Sequence, residues 1–144
     1  MALPDPQLGL VISYAYLWHR EYRAGWDSGR KDRPCVIVLA MRKSSDGGLL
    51  VRVAPMTHAA PDDPSVAFEI PLPVKHHLAL DAERSWIMLD EINEFVWPGF
   101  DLRPIPGAHD RFAYGHLPPI LFRQMLERIR AVWQGGRGRL TPRD

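Results

Sequence analysis

The strongest constraint on the fold is a pair of apolar runs divided by a turn. Cys35-Val36-Ile37-Val38-Leu39-Ala40 and Leu49-Leu50-Val51-Arg52-Val53-Ala54 are rich in strand-forming residues. Ser44-Ser45-Asp46-Gly47-Gly48 lies between them and supplies turn chemistry, so the two runs predict a β-hairpin. Arg33-Pro34 opens the first run, where a proline costs the ladder least, and Pro55-Met56-Thr57-His58 closes the second. In such a hairpin the end of the second strand lies beside the start of the first. The Arg33 guanidinium and the Thr57 hydroxyl are therefore expected at one end of a sheet. A planar cationic donor fork beside a neutral hydroxyl suits a phosphate group. The same residues also suit a surface arginine at a strand start and a threonine in a turn.

The rest of the chain reads as further short strands. Residues 10–18 are apolar and aromatic and follow Gly9, which predicts a strand, and the polar stretch 19–32 predicts a long loop broken by Gly25 and Gly29. Residues 66–70 and 85–89 read as strands, with 90–95 extending or leaving the second. Residues 75–82 read as a short helix or irregular turn, and 114–117 as a short strand or bend. Pro118-Pro119 then starts a helix with Phe122, Met125, Leu126, Ile129, Val132 and Trp133 on one stripe, ended by Gly135-Gly136. Residues 137–144 read as a flexible tail. The expected fold is mainly β, a small antiparallel domain with a C-terminal α-helix, occupying 1–144 as a single unit.

Composition and charge narrow the function classes. Apolar residues make up 46% and charged residues 24%, as in ordinary soluble globular domains. No run of eighteen apolar residues occurs, and the first residues do not read as a secretory signal. Cys35 is the single cysteine, so a reducing cytoplasm is the expected home and a buried apolar role the expected use. Residues 18–33 carry a net +2 and residues 120–144 a net +4, whereas 57–101 carry −7. Basic segments near both ends suit nucleic acid if the fold unites them; otherwise they are solvated faces. His76-His77 point apart, the other histidines are scattered, and no metal-ligand spacing occurs, so no metal or other cofactor is expected. No phosphate-binding glycine loop and no Gly-x-Ser-x-Gly elbow is present.

What remains is an order of features: Gly9, a strand, a basic loop, Arg33-Pro34 before a strand, Pro55-x-Thr57 after the next, and Asp90-Glu91 ending a later one. In this order, over residues 9–95, the chain resembles the MazF/PemK (Kid-type) toxins of bacterial type II toxin–antitoxin systems. The resemblance implies an SH3-like, CcdB-like β-barrel that forms a homodimer. It implies growth inhibition by cleavage of single-stranded RNA without a metal, and silencing by a cognate antitoxin peptide. It places Arg33 and Thr57 on the catalytic arginine and threonine and Asp90 on an acidic position used in some members. Three features depart from the pattern: Leu10 stands after Gly9 in place of Asp, Glu91 stands where Gln is usual, and 93–114 reads as an insertion.

Cleavage by the neighbouring 2′-hydroxyl needs a base, an acid and donors for the charge growing on phosphate. Arg33 and Thr57 supply donors. His58, His19, Asp90 and Glu91 are all open as the base. Trp18, Tyr22 and Trp26, interleaved with His19, Arg20, Arg23, Arg30 and Lys31, suit stacking and backbone contacts to a single strand, and Glu91 is expected with them as an RNA-binding residue. The alternative is a non-catalytic barrel of the same kind, acting as a protein-binding growth inhibitor or as an RNA-binding module.

Overall fold

The computed structural model describes residues 3–143. Eight strands and three α-helices follow one another as β1 (Leu10–Tyr14), α1 (His19–Arg23), β2 (Arg33–Arg42), β3 (Leu49–Thr57), β4 (Ala67–Glu69), α2 (Leu72–His77), β5 (Trp86–Met88), β6 (Glu91–Val96), β7 (Ala113–His116), α3 (Pro119–Gln134) and β8 (Arg139–Pro142). The expected mainly-β class with a C-terminal helix is the observed one. The strands run in the order β4-β5-β3-β2-β1-β7, with β6 also on β3 and β8 on β6. Every pairing is antiparallel except that of β6 with β8.

The hairpin of β2 and β3 is the spine. The first half of β3 pairs with β6, Val53 opposite Asn93, and the end of β3 pairs with β5, Thr57 opposite Trp86. Register shifts in β1–β7 and β2–β3 mark bulges, which strengthen twist and curl the sheet. The curl does not complete a closed barrel: among the described residues β4 and β7, at opposite ends of the strand order, do not pair.

Alternation along the strands builds two cores. Val36, Ala54 and Met56 face α3, whose Met125 and Val132 are buried on them. Cys35, Ile37, Val51 and Val53 face the other way, into an aromatic core with Tyr14, Tyr16 and Phe95. Gly9 joins the two: its φ of +84° suits glycine, and Phe122 of α3 lies 3.4 Å from where a Cβ would stand.

Several segments differ from the sequence reading. The first strand stops at Tyr14, and the stretch expected as a loop contains α1, capped where Glu21 Oε1 accepts the Trp18 N–H at 3.1 Å. The expected insertion, 93–114, begins inside β6, and Leu102 bridges back to Tyr14. The expected flexible tail forms β8 over Arg139–Pro142, and Arg143 bonds the Asp101 carboxylate at 3.0 Å and the Asp27 carbonyl at 2.6 Å. A four-residue polar strand has no pattern of its own and is made by its partner. No helix among the described residues is long and apolar enough to cross a membrane.

Candidate functional site

The hairpin register brings Arg33 and Thr57 together. Cys35 lies opposite Pro55, so two residues further along each strand Arg33 and Thr57 face each other at the sheet's end. Arg33 Nη1 donates to the Met56 carbonyl at 3.2 Å, and its Nε is buried without a partner among the described residues. The guanidinium packs 5.1 Å from the Trp18 ring, and Arg20 lies 5.2 Å from the same ring. Burial lowers the pKa of Arg33, which remains a cation with donors to spare. Thr57 Oγ1 accepts the Ala59 N–H at 3.1 Å and keeps its own proton to donate. Beside the pair opens a cleft of about 430 Å³, walled by Lys31, Arg33, Thr57, His58, Lys75 and Tyr114 among others.

His58 lines this cleft but turns to a different set of groups. Its Nε2 lies 2.8 Å from Asp81 and its Nδ1 3.8 Å from Glu83. Asp81 also holds Lys75, which is 1% exposed and whose ammonium donates to Ser85 Oγ at 2.7 Å and to the Glu83 carbonyl. Burial works against the Asp81 carboxylate, but Lys75 and His58 outweigh it and hold its pKa below the usual range. Among the described residues His58, Asp81 and Glu83 form one group with metal-ligand atoms, all within 4.8 Å of each other and all exposed. The sequence reading kept His58 as a candidate base but found no metal-ligand spacing around it, because Asp81 and Glu83 lie more than twenty residues downstream.

Glu91 belongs to the Arg33 side. Its Oε1 accepts the Tyr16 O–H at 2.9 Å and the His19 backbone N–H at 3.2 Å. Tyr16 in turn packs edge-on against Trp18, with ring centroids 5.3 Å apart. Burial pushes the Glu91 carboxyl up to about 7 despite the Tyr16 and His19 hydrogen bonds that favour its charge. Burial and the Glu91 carboxylate together push the Tyr16 phenol well above its usual value, so Tyr16 donates its proton and does not ionise. Next to Glu91, Asn93 exchanges hydrogen bonds with both backbone groups of Leu17, at 3.0 and 2.8 Å, and pins the segment that carries Tyr16 and Trp18.

The other expected site residues are dispersed. Asp90 is half-buried, its Oδ1 has no partner among the described residues, and burial raises its pKa, with Arg139 and Arg137 opposing the rise and Asp63 adding to it. The strand β5 separates it from Thr57, because Thr57 pairs with the first residue of β5 and Asp90 follows the last. The His19 ring bonds buried Thr141 of β8 at 3.1 Å. Arg30 stacks at 4.4 Å on Trp26, and Arg23 and Lys31 are exposed. Cys35 is wholly buried, and burial raises its thiol pKa far above the usual range, which leaves it inert. Sequence reasoning missed Tyr16 and Lys75: one is an inward position of an apolar run, the other a basic residue that no pattern marks as buried. No protein-family model matches the chain, and no curated protein matches it.

Proposed function

We propose that this protein is an endoribonuclease that cleaves single-stranded RNA without a metal, as a growth-inhibiting toxin of the MazF/PemK kind. The observation that carries the reading is the facing of Arg33 and Thr57 at the open end of the hairpin, beside the cleft and the stacked indole of Trp18. The 2′-oxygen attacks phosphorus and the bond to the 5′-oxygen breaks. The products are a 2′,3′-cyclic phosphate and a 5′-hydroxyl. Arg33 offers charge-assisted donors to the non-bridging oxygens, and Thr57 offers a neutral one. Trp18, Trp26 and the arginines of residues 19–32 give bases a surface to stack on and phosphates a cationic edge. A homodimer, a cytoplasmic location and an antitoxin peptide that covers the cleft belong to the same proposal.

The test is incubation of purified protein with long single-stranded RNA in EDTA. Fragments with 5′-hydroxyl ends, lost in Arg33→Ala and Thr57→Ala, support the reading. Intact RNA at high protein concentration overturns it. It then favours the second reading, a non-catalytic barrel that binds a protein, for which the observation is Phe100, 83% exposed on the segment between β6 and β7.

A further inference from the structure

Arg33 and Thr57 offer donors to a phosphate, but neither readily gives up a proton to a departing 5′-oxygen. The fold sets a better proton carrier in their cleft. Tyr114 of β7 lines it together with Arg33, Pro34, Met56 and Thr57. A bulge places it there. Gly115 lies opposite Val11 and Ala113 opposite Ile12, so Tyr114 is the extra residue that no position of β1 faces. Ala113 packs on the aromatic core, whereas Tyr114 packs on the core of Met56 and Leu78. Gly115 completes the bulge with a φ of +133°, and a Cβ there would stand 3.3 Å from Leu78. Burial raises the Tyr114 pKa; Ser13 opposes the rise, and Cys35, Asp32 and Asp81 add to it, so the phenol keeps its proton at neutral pH. Asp32 and Asp81 themselves line the cleft.

We propose that Tyr114, aimed into the cleft by the bulge in β7, is the general acid that protonates the departing 5′-oxygen. This rests on the nuclease reading of the same site. The bond from the 2′-oxygen to phosphorus forms, and the 2′-hydroxyl proton passes to water. As the bond from phosphorus to the 5′-oxygen breaks, the phenolic proton of Tyr114 passes to that oxygen and leaves a 5′-hydroxyl. The phenolate then takes back a proton from water. An alkoxide is far more basic than a phenolate, so the transfer runs downhill even from a phenol that burial has made a weaker acid. The other groups of the cleft are poorer donors. Lys75 has its three N–H directions used by Asp81, Ser85 and the Glu83 carbonyl. Both nitrogens of His58 meet carboxylates, and Asp81, its pKa held low, carries no proton at neutral pH. The Thr57 and Ser85 hydroxyls are weaker acids than a phenol, and Lys31 is an exposed, hydrated ammonium suited to phosphate charge.

The experiment compares two leaving groups. The cleaved linkage is first mapped on long single-stranded RNA in EDTA. Two oligonucleotides spanning it are then made, one with the natural 5′-oxygen and one with sulfur in its place. Tyr114→Phe keeps the ring and removes the proton. On the oxygen substrate it is expected to lower the single-turnover rate roughly 100-fold or more, while binding to the non-cleavable 2′-deoxy analogue changes less than about twofold. On the sulfur substrate it is expected to stay within about fivefold of the wild type, because a thiolate departs without a proton. Cleavage of the sulfur substrate also reports that the variant is folded. An unchanged rate on the oxygen substrate, or an equal loss on both substrates, overturns the acid role of Tyr114 and leaves the nuclease reading standing. No cleavage of RNA by the wild type overturns the nuclease reading and the role of Tyr114 with it.

Discussion

Two ionisable clusters flank the end of the β2–β3 hairpin, and they differ in how completely their groups are paired. In the Lys75 cluster the ammonium meets Asp81, Ser85 and the Glu83 carbonyl, and Asp81 also meets His58. Its three donor directions are used, so the buried ammonium leaves no N–H unpaired. In the Arg33 cluster, Nε has no partner among the described residues, the guanidinium shares the Trp18 face with Arg20, and Glu91 holds both its hydrogen bonds on one oxygen. A saturated network holds chain segments in place. An unsaturated one keeps donors and acceptors for something not yet bound. The comparison therefore favours architecture for the first cluster and the proposed chemistry for the second, and of the second cluster Arg33 lines the cleft that Lys75, Asp81 and His58 also border.

The sharpest way to break this assignment is Arg33→Ala. Removing one preorganised donor from a charge-stabilising site typically costs about 10² to 10³ in rate. Loss of the guanidinium also removes the cation on Trp18, so the upper figure is expected, read as kcat/KM on single-stranded RNA. Next in size is Lys75→Met, which keeps the stem's volume but strands Asp81, Ser85 Oγ and the Glu83 carbonyl. Asp81 is 47% exposed along its side chain and rehydrates, so the expected loss is about 2–3 kcal/mol, read from the urea midpoint. If the two variants exchanged these effects, with Lys75→Met folded but inactive and Arg33→Ala active but unstable, the assignment would be reversed.

A third test uses pH and stability and needs no RNA. The folded protein raises the Glu91 carboxyl to about 7, above the unfolded chain's ordinary carboxylate value. Between those two values the folded state binds the proton and the unfolded state does not. Stability from this group is therefore full below the unfolded value and declines as pH rises through about 7. Glu91→Gln removes the burden of an ionised, buried carboxylate. It is expected to be more stable than wild type at pH 8 by on the order of 2 kcal/mol, with the advantage vanishing near pH 4.5. A variant gaining stability while losing cleavage marks a group kept for chemistry at the expense of the fold. Equal stability at both pH values would place Glu91 with the structural cluster.

The same contrast explains what the sequence made visible. The hairpin could be read because local signals agree: β-branched runs, a Gly-rich turn, and a proline confined to the strand's start. Register then followed, and with it the facing of Arg33 and Thr57. The α3 stripe was equally plain, since helical periodicity is a property of one segment. Glu91 was visible as a candidate site residue and as a departure from a pattern, but its surroundings were not, because its bond to Tyr16 spans 75 positions and no local rule reports it. Asp90 and Glu91 are neighbours in sequence, yet successive strand positions point to opposite faces, so which of the two meets Tyr16 is set by register and not by the resemblance. For β8, the burial of Thr141 and its bond to His19 make the strand, not the polar run Arg139–Pro142 itself.

The smallest expected effect concerns His58, the residue whose identity most suggested a base. It is 49% exposed along its side chain, and its carboxylate partners Asp81 and Glu83 are 47% and 72% exposed. Exposed ion pairs contribute about 0.2–1 kcal/mol and weaken as salt rises. Asp81 does not depend on His58, because Lys75 holds its other oxygen. A double-mutant cycle of His58→Ala with Asp81→Asn is therefore expected to give a coupling below about 1 kcal/mol that shrinks further in high salt. Cleavage by His58→Ala should fall by less than tenfold, as befits a ring whose nitrogens both meet carboxylates. A coupling above about 2 kcal/mol that persists in salt would instead mean that the imidazole is a working member of the Lys75 network. The division between a saturated and an unsaturated cluster would then have to be redrawn through His58.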